Sequence, residues 1–257
     1  MTGGGIRVET NDGVAVVVMD RAEKLNALSI AMLRELGSAL RDLGAAGSGV
    51  AGIVLTGAGR AFSAGDDLPA TDDLQPSDFE DLIEHFQGLS RAVLASEVPV
   101  VAALNGIAVG GAAELALVCD ARVGFAGSDF LFPENEVGLT ISNGASALLP
   151  RFLGSRALPI VLSARRIPGD EANGLGLIDL MVDSAEEVLP AAVGLVRRWA
   201  ERGLATRWHL RLLRPSVEEV EAAIAQEDEV AREVWASGAP HEGIRRFLAE
   251  RASRRAR

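Results

Sequence analysis

Short apolar runs that stop at glycine turns, alternating with segments of helical spacing, constrain this chain more than any other feature. Val14–Met19 is rich in valine and starts straight after Asn11-Asp12-Gly13. That is the pattern of the second strand of a hairpin, with Ile6–Glu9 as the first. Ile53–Thr56 runs into Gly57-Ala58-Gly59, and Pro99–Leu104 is closed by Asn105-Gly106. Both read as buried strands. Ser29–Leu43 places Met32, Leu33, Leu36, Leu40 and Leu43 at helical spacing. Ser77-Asp78-Phe79-Glu80 reads as a capping box opening a helix that runs to Leu94. Gly111–Val118 and Asn143–Phe152 read as helices, and Arg122–Phe125, Phe130–Phe132 and Leu177–Val182 as strands. After that helices dominate, with further capping boxes at Ser184-Ala185-Glu186-Glu187 and Ser216-Val217-Glu218-Glu219. The expected organisation is an α/β body over residues 1–195 and a helical tail over 196–257.

With 257 residues, 48% of them hydrophobic, the chain can bury one large core. The net charge of -11 argues against a nucleic-acid groove, which needs a basic stripe, and against docking on anionic lipid. An anionic ligand must then be held by local cations and backbone N–H groups. Cys119 is the single cysteine, so no intrachain disulfide can form and a reducing compartment is expected. Met1-Thr2-Gly3-Gly4-Gly5 lacks the basic and apolar regions of a signal peptide. Apolar stretches such as Val98–Leu104 fall short of a membrane span. A soluble, cytoplasmic protein is expected.

Three segments carry candidate chemistry. In Gly57-Ala58-Gly59-Arg60-Ala61-Phe62, Phe62 stands where a dinucleotide fingerprint needs its third glycine, and no lysine follows to make a phosphate loop. Downstream, Ala64-Gly65 lets the backbone approach a ligand, so that the Asp66 N–H points at it; the bland alternative is a plain strand-to-loop turn. In Asn105–Leu115, a tight turn leads into a helix starting near Gly111. The unpaired N–H groups there make an anion or oxyanion site. Glu114 lies in the first turn, where the helix dipole favours its ionised form and suits it to be a general base; the bland alternative, the better one for an isolated glutamate, is that it only supports the helix N-terminus. In Phe130-Leu131-Phe132-Pro133-Glu134, the apolar run desolvates Glu134 and raises its pKa, which suits a general acid. Glu136 is the competing candidate on the same segment.

Asp66-Asp67 and Asp72-Asp73 form an acidic cluster without a second acidic cluster or a basic phosphate clamp. It reads as a solvated loop, with magnesium as the weaker alternative. His85, His209 and His241 lack ligand spacing, and Ser146 is not in a nucleophile elbow, so no metal site and no hydrolase triad is expected.

Taken together, these segments resemble the crotonase, or enoyl-CoA hydratase/isomerase, family. The resemblance begins at Arg21-Ala22-Glu23-Lys24-Leu25-Asn26-Ala27-Leu28, with Ala22 where the family has proline. It continues through Phe62–Leu68, Asn105-Gly106, Gly110-Gly111, Glu114-Leu115-Ala116, Cys119-Asp120, Pro133-Glu134 and Gly138-Leu139, and ends at Glu242-Gly243-Ile244 and Phe247. It implies a superhelix of strand–strand–helix turns with a C-terminal helical trimerisation region, assembled as a homotrimer or homohexamer. It implies an acyl-CoA thioester as substrate and no cofactor beyond the coenzyme A that the substrate carries. The N–H groups of Asp66 and Gly111 would form the oxyanion hole. Lys24, Ala64, Asp66, Asp67, Leu68, Pro69 and Gly110 would contact the substrate and its CoA arm. Glu114 and Glu134 match the two acid/base positions of the family's hydratases, which implies hydration of a 2-enoyl-CoA. Isomerisation, thioester hydrolysis and a non-catalytic acyl-CoA-binding subunit are the alternatives. Two departures stand out: Ile141-Ser142-Asn143-Gly144-Ala145-Ser146 replaces the family's Pro-Gly-Ala-Gly-Gly-Thr, and Glu250 replaces a lysine. The first is expected to reshape the acyl pocket, the second to remove an adenine-side cation.

Overall fold

The computed structural model describes residues 4–72 and 74–255, so residues 1–3, 73 and 256–257 lie outside the described residues. β1 (Gly5–Asn11) and β2 (Val14–Asp20) form the expected antiparallel hairpin. Its two turn residues, Asp12 and Gly13, both have positive φ, as a tight hairpin turn requires. α1 (Ile30–Gly44) begins where the Ser29 hydroxyl accepts the Met32 N–H at 3.3 Å, and it buries Met32, Leu33, Leu36 and Leu40.

Three strand–strand–helix turns follow. The first is β3 (Gly52–Gly57), β4 (Ala61–Ser63), α2 (Leu68–Thr71) and α3 (Pro76–Ala95). The second is β5 (Val100–Ala103), β6 (Ile107–Val109) and α4 (Gly111–Val118). The third is β7 (Ala121–Gly124), β8 (Phe130–Leu131) and α5 (Glu134–Val137). The leading strands β3, β5 and β7 lie parallel beside β2, whereas β4, β6 and β8 form a separate parallel sheet. Each turn adds one strand to each sheet, so the chain climbs as a superhelix. α6 (Ala145–Leu153), α7 (Ala157–Ser163) and α8 (Gly169–Gly174) lead to β9 (Leu180–Met181), which closes the six-stranded order β1-β2-β3-β5-β7-β9. α9 (Ala185–Ala200), α10 (Leu204–Leu213), α11 (Val217–Ala236) and α12 (Ala239–Arg255) complete the chain.

Both faces of the large sheet are covered. α1 and α3 pack one face into the main core, and α9 covers the other with Val188, Ala192 and Val196. That explains why β3 and β5 are apolar without alternation and buried at every position. α11 folds back on α3 and α6, inserting Val220, Ile224, Ala231 and Trp235 into the main core, and Trp235 stacks on Phe79 at 3.9 Å.

Several local expectations change. α3 starts at Pro76, not after Ser77: proline at the first helical position fixes the start, and the Asp78 carboxylate accepts the Gln75 N–H at 3.4 Å. The expected final strand Leu177–Val182 shrinks to β9. The span 145–163 has the length and mean hydropathy of a membrane helix. In the fold it is broken at Gly154–Arg156 into α6 and α7, and its Leu148, Leu149, Leu153 and Ile160 belong to the core.

Candidate active site

The loops that leave β4, β6 and β8 converge on one cavity of about 530 Å³. Gly65, with φ 75°, sits against the β6–α4 junction. A Cβ there would overlap the Val109 carbonyl oxygen and lie 3.6 Å from the Gly111 nitrogen, so only glycine allows this approach. The contact brings the Asp66 and Gly111 N–H groups to the same side of the cavity. Neither donates a hydrogen bond among the described residues. Gly110 precedes α4 with φ 55° and ψ -132°, a conformation restricted to glycine, and a Cβ on it would stand 3.1 Å from Glu134 Oε1. A Cβ on Gly111 would stand 2.7 Å from the Phe86 ring. The junction is therefore packed to the backbone, and Asp66 and Gly111, whose N–H groups make no hydrogen bond among the described residues, both line the cavity.

Glu114 is one turn into α4 and 1% exposed. Its Oε1 accepts the Ser142 N–H at 3.0 Å; its Oε2 accepts the Ser142 hydroxyl at 2.8 Å and the Asn143 side-chain amide at 2.9 Å. Glu134 opens α5, is 6% exposed, and its Oε2 is buried without a partner among the described residues. Burial pushes the Glu134 carboxyl up to about 7, as the apolar run before it predicts. Glu114 departs from expectation: burial first, and then the nearby Glu134 charge, hold its carboxyl well above the ordinary range, although Ser142 pulls the other way. Desolvation outweighs the helix dipole because the residue is only 1% exposed, reached by solvent through the cavity alone. The two buried carboxyls repel each other when both are ionised, so each makes it harder for the other to lose its proton.

Lys24, Ala64, Asp66, Asp67, Leu68, Pro69, Gly110, Gly111, Glu114 and Glu134 all line this one cavity, so the candidate catalytic, oxyanion and substrate-contact residues are brought together in it, with Glu23 beside them. Glu136, the competitor of Glu134, is exposed and does not line it. The acidic cluster is not a solvated loop. Asp67 is buried and paired with Arg21 at 2.7 Å and Lys24 at 3.2 Å. Asp66 bonds Thr71 at 2.5 Å, and burial raises its carboxyl to about 7. Asp72 pairs with Arg245 at 3.1 Å and His241 at 3.4 Å. No group of three or more metal-ligating side chains occurs among the described residues.

The sequence profile of the enoyl-CoA hydratase/isomerase family matches residues 9–254. The chain belongs to the enoyl-CoA hydratase/isomerase family. A probable enoyl-CoA hydratase of Bacillus subtilis (strain 168) is 33% identical, the match covering 88% of this chain and 89% of that protein. A crotonyl-CoA hydratase of Syntrophomonas wolfei is 30% identical over 96% of this chain and 95% of its own. Among solved structures, an enoyl-CoA hydratase from Mycobacterium avium subsp. paratuberculosis superimposes with a TM-score of 0.83 at 26% identity, covering 96% of each chain. The strand–strand–helix superhelix described above is the fold of this family.

In this member of the enoyl-CoA hydratase/isomerase family, sequence reasoning missed the residues that hold Glu114. Ser142 and Asn143 appeared only as a departure from the family's usual segment, and Glu227 of α11 not at all. The positive φ of Asn143 (61°) and Gly144 (76°) gives the segment its sharp turn, and the Asn-Gly pair was the available signal.

Burying Glu134 has a cost that depends on pH. Its folded pKa of about 7 lies above the ordinary 4.5, so the folded state binds more protons between those values and stability falls as pH rises across that window. Glu134→Gln is expected to raise Tm at pH 8 and to leave it nearly unchanged at pH 4. Calorimetry at the two pH values checks this; an equal shift at both would show that ionisation of Glu134 is not what destabilises the fold.

Proposed function

We propose that this protein hydrates a 2-enoyl-CoA to a 3-hydroxyacyl-CoA. The observation that carries the reading is the pair of buried carboxyls, Glu114 and Glu134, facing one cavity beside two unpaired backbone N–H groups. The Asp66 and Gly111 N–H groups hold the thioester oxygen and stabilise the enolate charge that grows on it, each worth roughly 3–4 kcal/mol in comparable sites. In the reactive form of the pair Glu114 is the ionised member, favoured by its Ser142 donors against the burial that raises its carboxyl, and it takes a proton from a water whose oxygen bonds to C3. The C2–C3 π electrons move toward the thioester, and the Glu134 carboxyl delivers its proton to C2. Product release lets the pair return its proton to Glu134. The substrate brings the coenzyme A, whose arm follows Asp66, Asp67, Leu68 and Pro69 toward Lys24; the reaction calls on no further cofactor.

The two faces of the reading have separate tests. Loss of enoyl-thioester absorbance across a panel of 2-enoyl-CoA esters, with crotonyl-CoA among them, together with a product heavier by one water, supports hydration. No absorbance change with any ester, from protein that binds them, supports the acyl-CoA-binding alternative instead.

We place the catalytic body in residues 1–195 and the assembly surface in 196–257, as a homotrimer or a homohexamer, working in the reducing cytoplasm. Four apolar residues at helical spacing in the tail, Ile224, Val230, Val234 and Phe247, differ in their surroundings. Ile224 is buried in its own chain, Val234 and Phe247 line the cavity, and Val230 alone is well exposed. The unpartnered stripe is on α10: Leu204, Trp208 and Leu212 follow helical spacing, and with Leu213 they are 55–79% exposed. Trp208→Glu with Leu212→Glu should turn the trimer or hexamer into a monomer in sedimentation. A wild type that sediments as a monomer at micromolar concentration overturns the assembly.

A further inference from the structure

Glu227 sits in the middle of α11, does not line the cavity, and is 5% exposed. Its Oε2 accepts the Gly144 N–H and its Oε1 the Ser146 N–H, both at 2.8 Å. Those two donors lie at the start of α6, where Gly144 precedes the helix and backbone N–H groups have no partner of their own. Immediately before them stand Ser142 and Asn143, which supply all three hydrogen bonds to Glu114. The segment 142–146 is therefore gripped on one side by Glu227 and grips Glu114 on the other. Asn143 and Gly144 both hold left-handed backbone, which is strained for asparagine and persists only where neighbours fix it.

We propose that Glu227 is a positioning residue for hydration: from the helical tail it fixes the 142–146 turn, and so fixes the orientation of the Glu114 carboxylate in the cavity. The inference rests on the hydratase reading for its kinetic consequence, but its structural part does not. Two features favour a carboxylate over any other side chain here. Both of its oxygens accept, matching two N–H donors, whereas a glutamine amide would turn an NH₂ group toward one of them. Its negative charge also complements the positive start of α6. The charged groups that act on Glu114 are Glu134 from α5 and Glu227 from α11, with Asp66 on the same cavity wall. Arg151 of α6 is exposed and paired with Glu219 instead.

Glu227→Asp keeps the charge and withdraws the carboxylate by one methylene, so it cannot reach both N–H groups. Ser142 and Asn143 then loosen, and Glu114 loses donors that favour its ionised form. Expected are a fall in kcat of about 10-fold to 100-fold, the scale of an ångström-sized misplacement, and an acid limb of the kcat/KM profile displaced to higher pH. The Kd for butanoyl-CoA should change far less than kcat, because Ser142 is one wall residue among many and the main effect falls on the orientation of Glu114. Carbon NMR titration of glutamate-labelled protein should show the Glu114 carboxyl moving up in the same variant. If that variant fails to fold, Glu227→Gln, equal in size, should give the same fall in kcat with butanoyl-CoA binding retained. The NMR readout needs no turnover. A shifted Glu114 titration in a protein that hydrates nothing would sink the hydratase reading and keep the positioning role. An active wild type whose folded Glu227 variant keeps its kcat, its pH profile and its Glu114 titration would overturn the positioning role alone.

Discussion

Glu114→Gln and Glu134→Gln should each lower kcat for enoyl-CoA hydration by about 100-fold or more, the usual contribution of a positioned acid or base. Butanoyl-CoA, which has no double bond to hydrate, should bind either variant about as tightly as the wild type. The reason lies in what each glutamine preserves. Glutamine at position 134 keeps the buried volume but cannot give up a proton to C2. At position 114 it keeps an acceptor for the Ser142 hydroxyl but has no basic oxygen for the water, and its NH₂ group meets donors from Ser142 or Asn143. The double variant should be far less than additively worse, because the two carboxyls act as one unit on one water. Near wild-type turnover by Glu134→Gln alongside a dead Glu136→Gln would reverse the assignment of the acid.

The second large effect concerns the oxyanion hole. Gly65→Ala should cost about 100-fold or more in kcat, comparable to losing one donor from such a site. The added methyl overlaps the Val109 carbonyl and the backbone is already left-handed at φ 75°, so the loop must back away and carry the Asp66 N–H with it. Gly111→Pro should be as severe, since proline has no N–H and its ring meets Phe86. Asp66→Asn is the control: the N–H survives, an acceptor for the Thr71 hydroxyl remains, and most of the activity should too. Steady-state kinetics on folded variants decide the matter. If Asp66→Asn were as inactive as Gly111→Pro, the Asp66 side chain itself would take part in the reaction.

The parts of this fold that were legible in the sequence are those fixed by local chemistry. Asp12-Gly13 sets the hairpin, Ser29 and Ser216 cap their helices, and the stripe from Met32 to Leu40 marks the buried face of α1. The strands β4 and β6 were not legible as elements, since each is three residues long and is held by its neighbour in the small sheet. The start of α3 was misplaced because the proline immediately before Ser77 offered a better first position than the serine did. In the site, positions tied to glycine geometry could be read directly: Gly65, Gly110 and Gly111 are places where backbone must touch backbone or ring. The environment of Glu114 could not. Its donors come from 28 and 29 residues away, and the Glu227 that grips their turn lies a further 81 to 83 residues on. Nothing local to residues 111–118 says that burial will override the helix dipole there.

Incubating the wild-type protein with crotonyl-CoA in water enriched in heavy oxygen, and weighing the product, tests the central claim most directly. Addition of one labelled water, with the heavy oxygen in a hydroxyl on C3 and the thioester intact, is the predicted result. A product of unchanged mass, or free coenzyme A with the label in a released carboxylate, would contradict it.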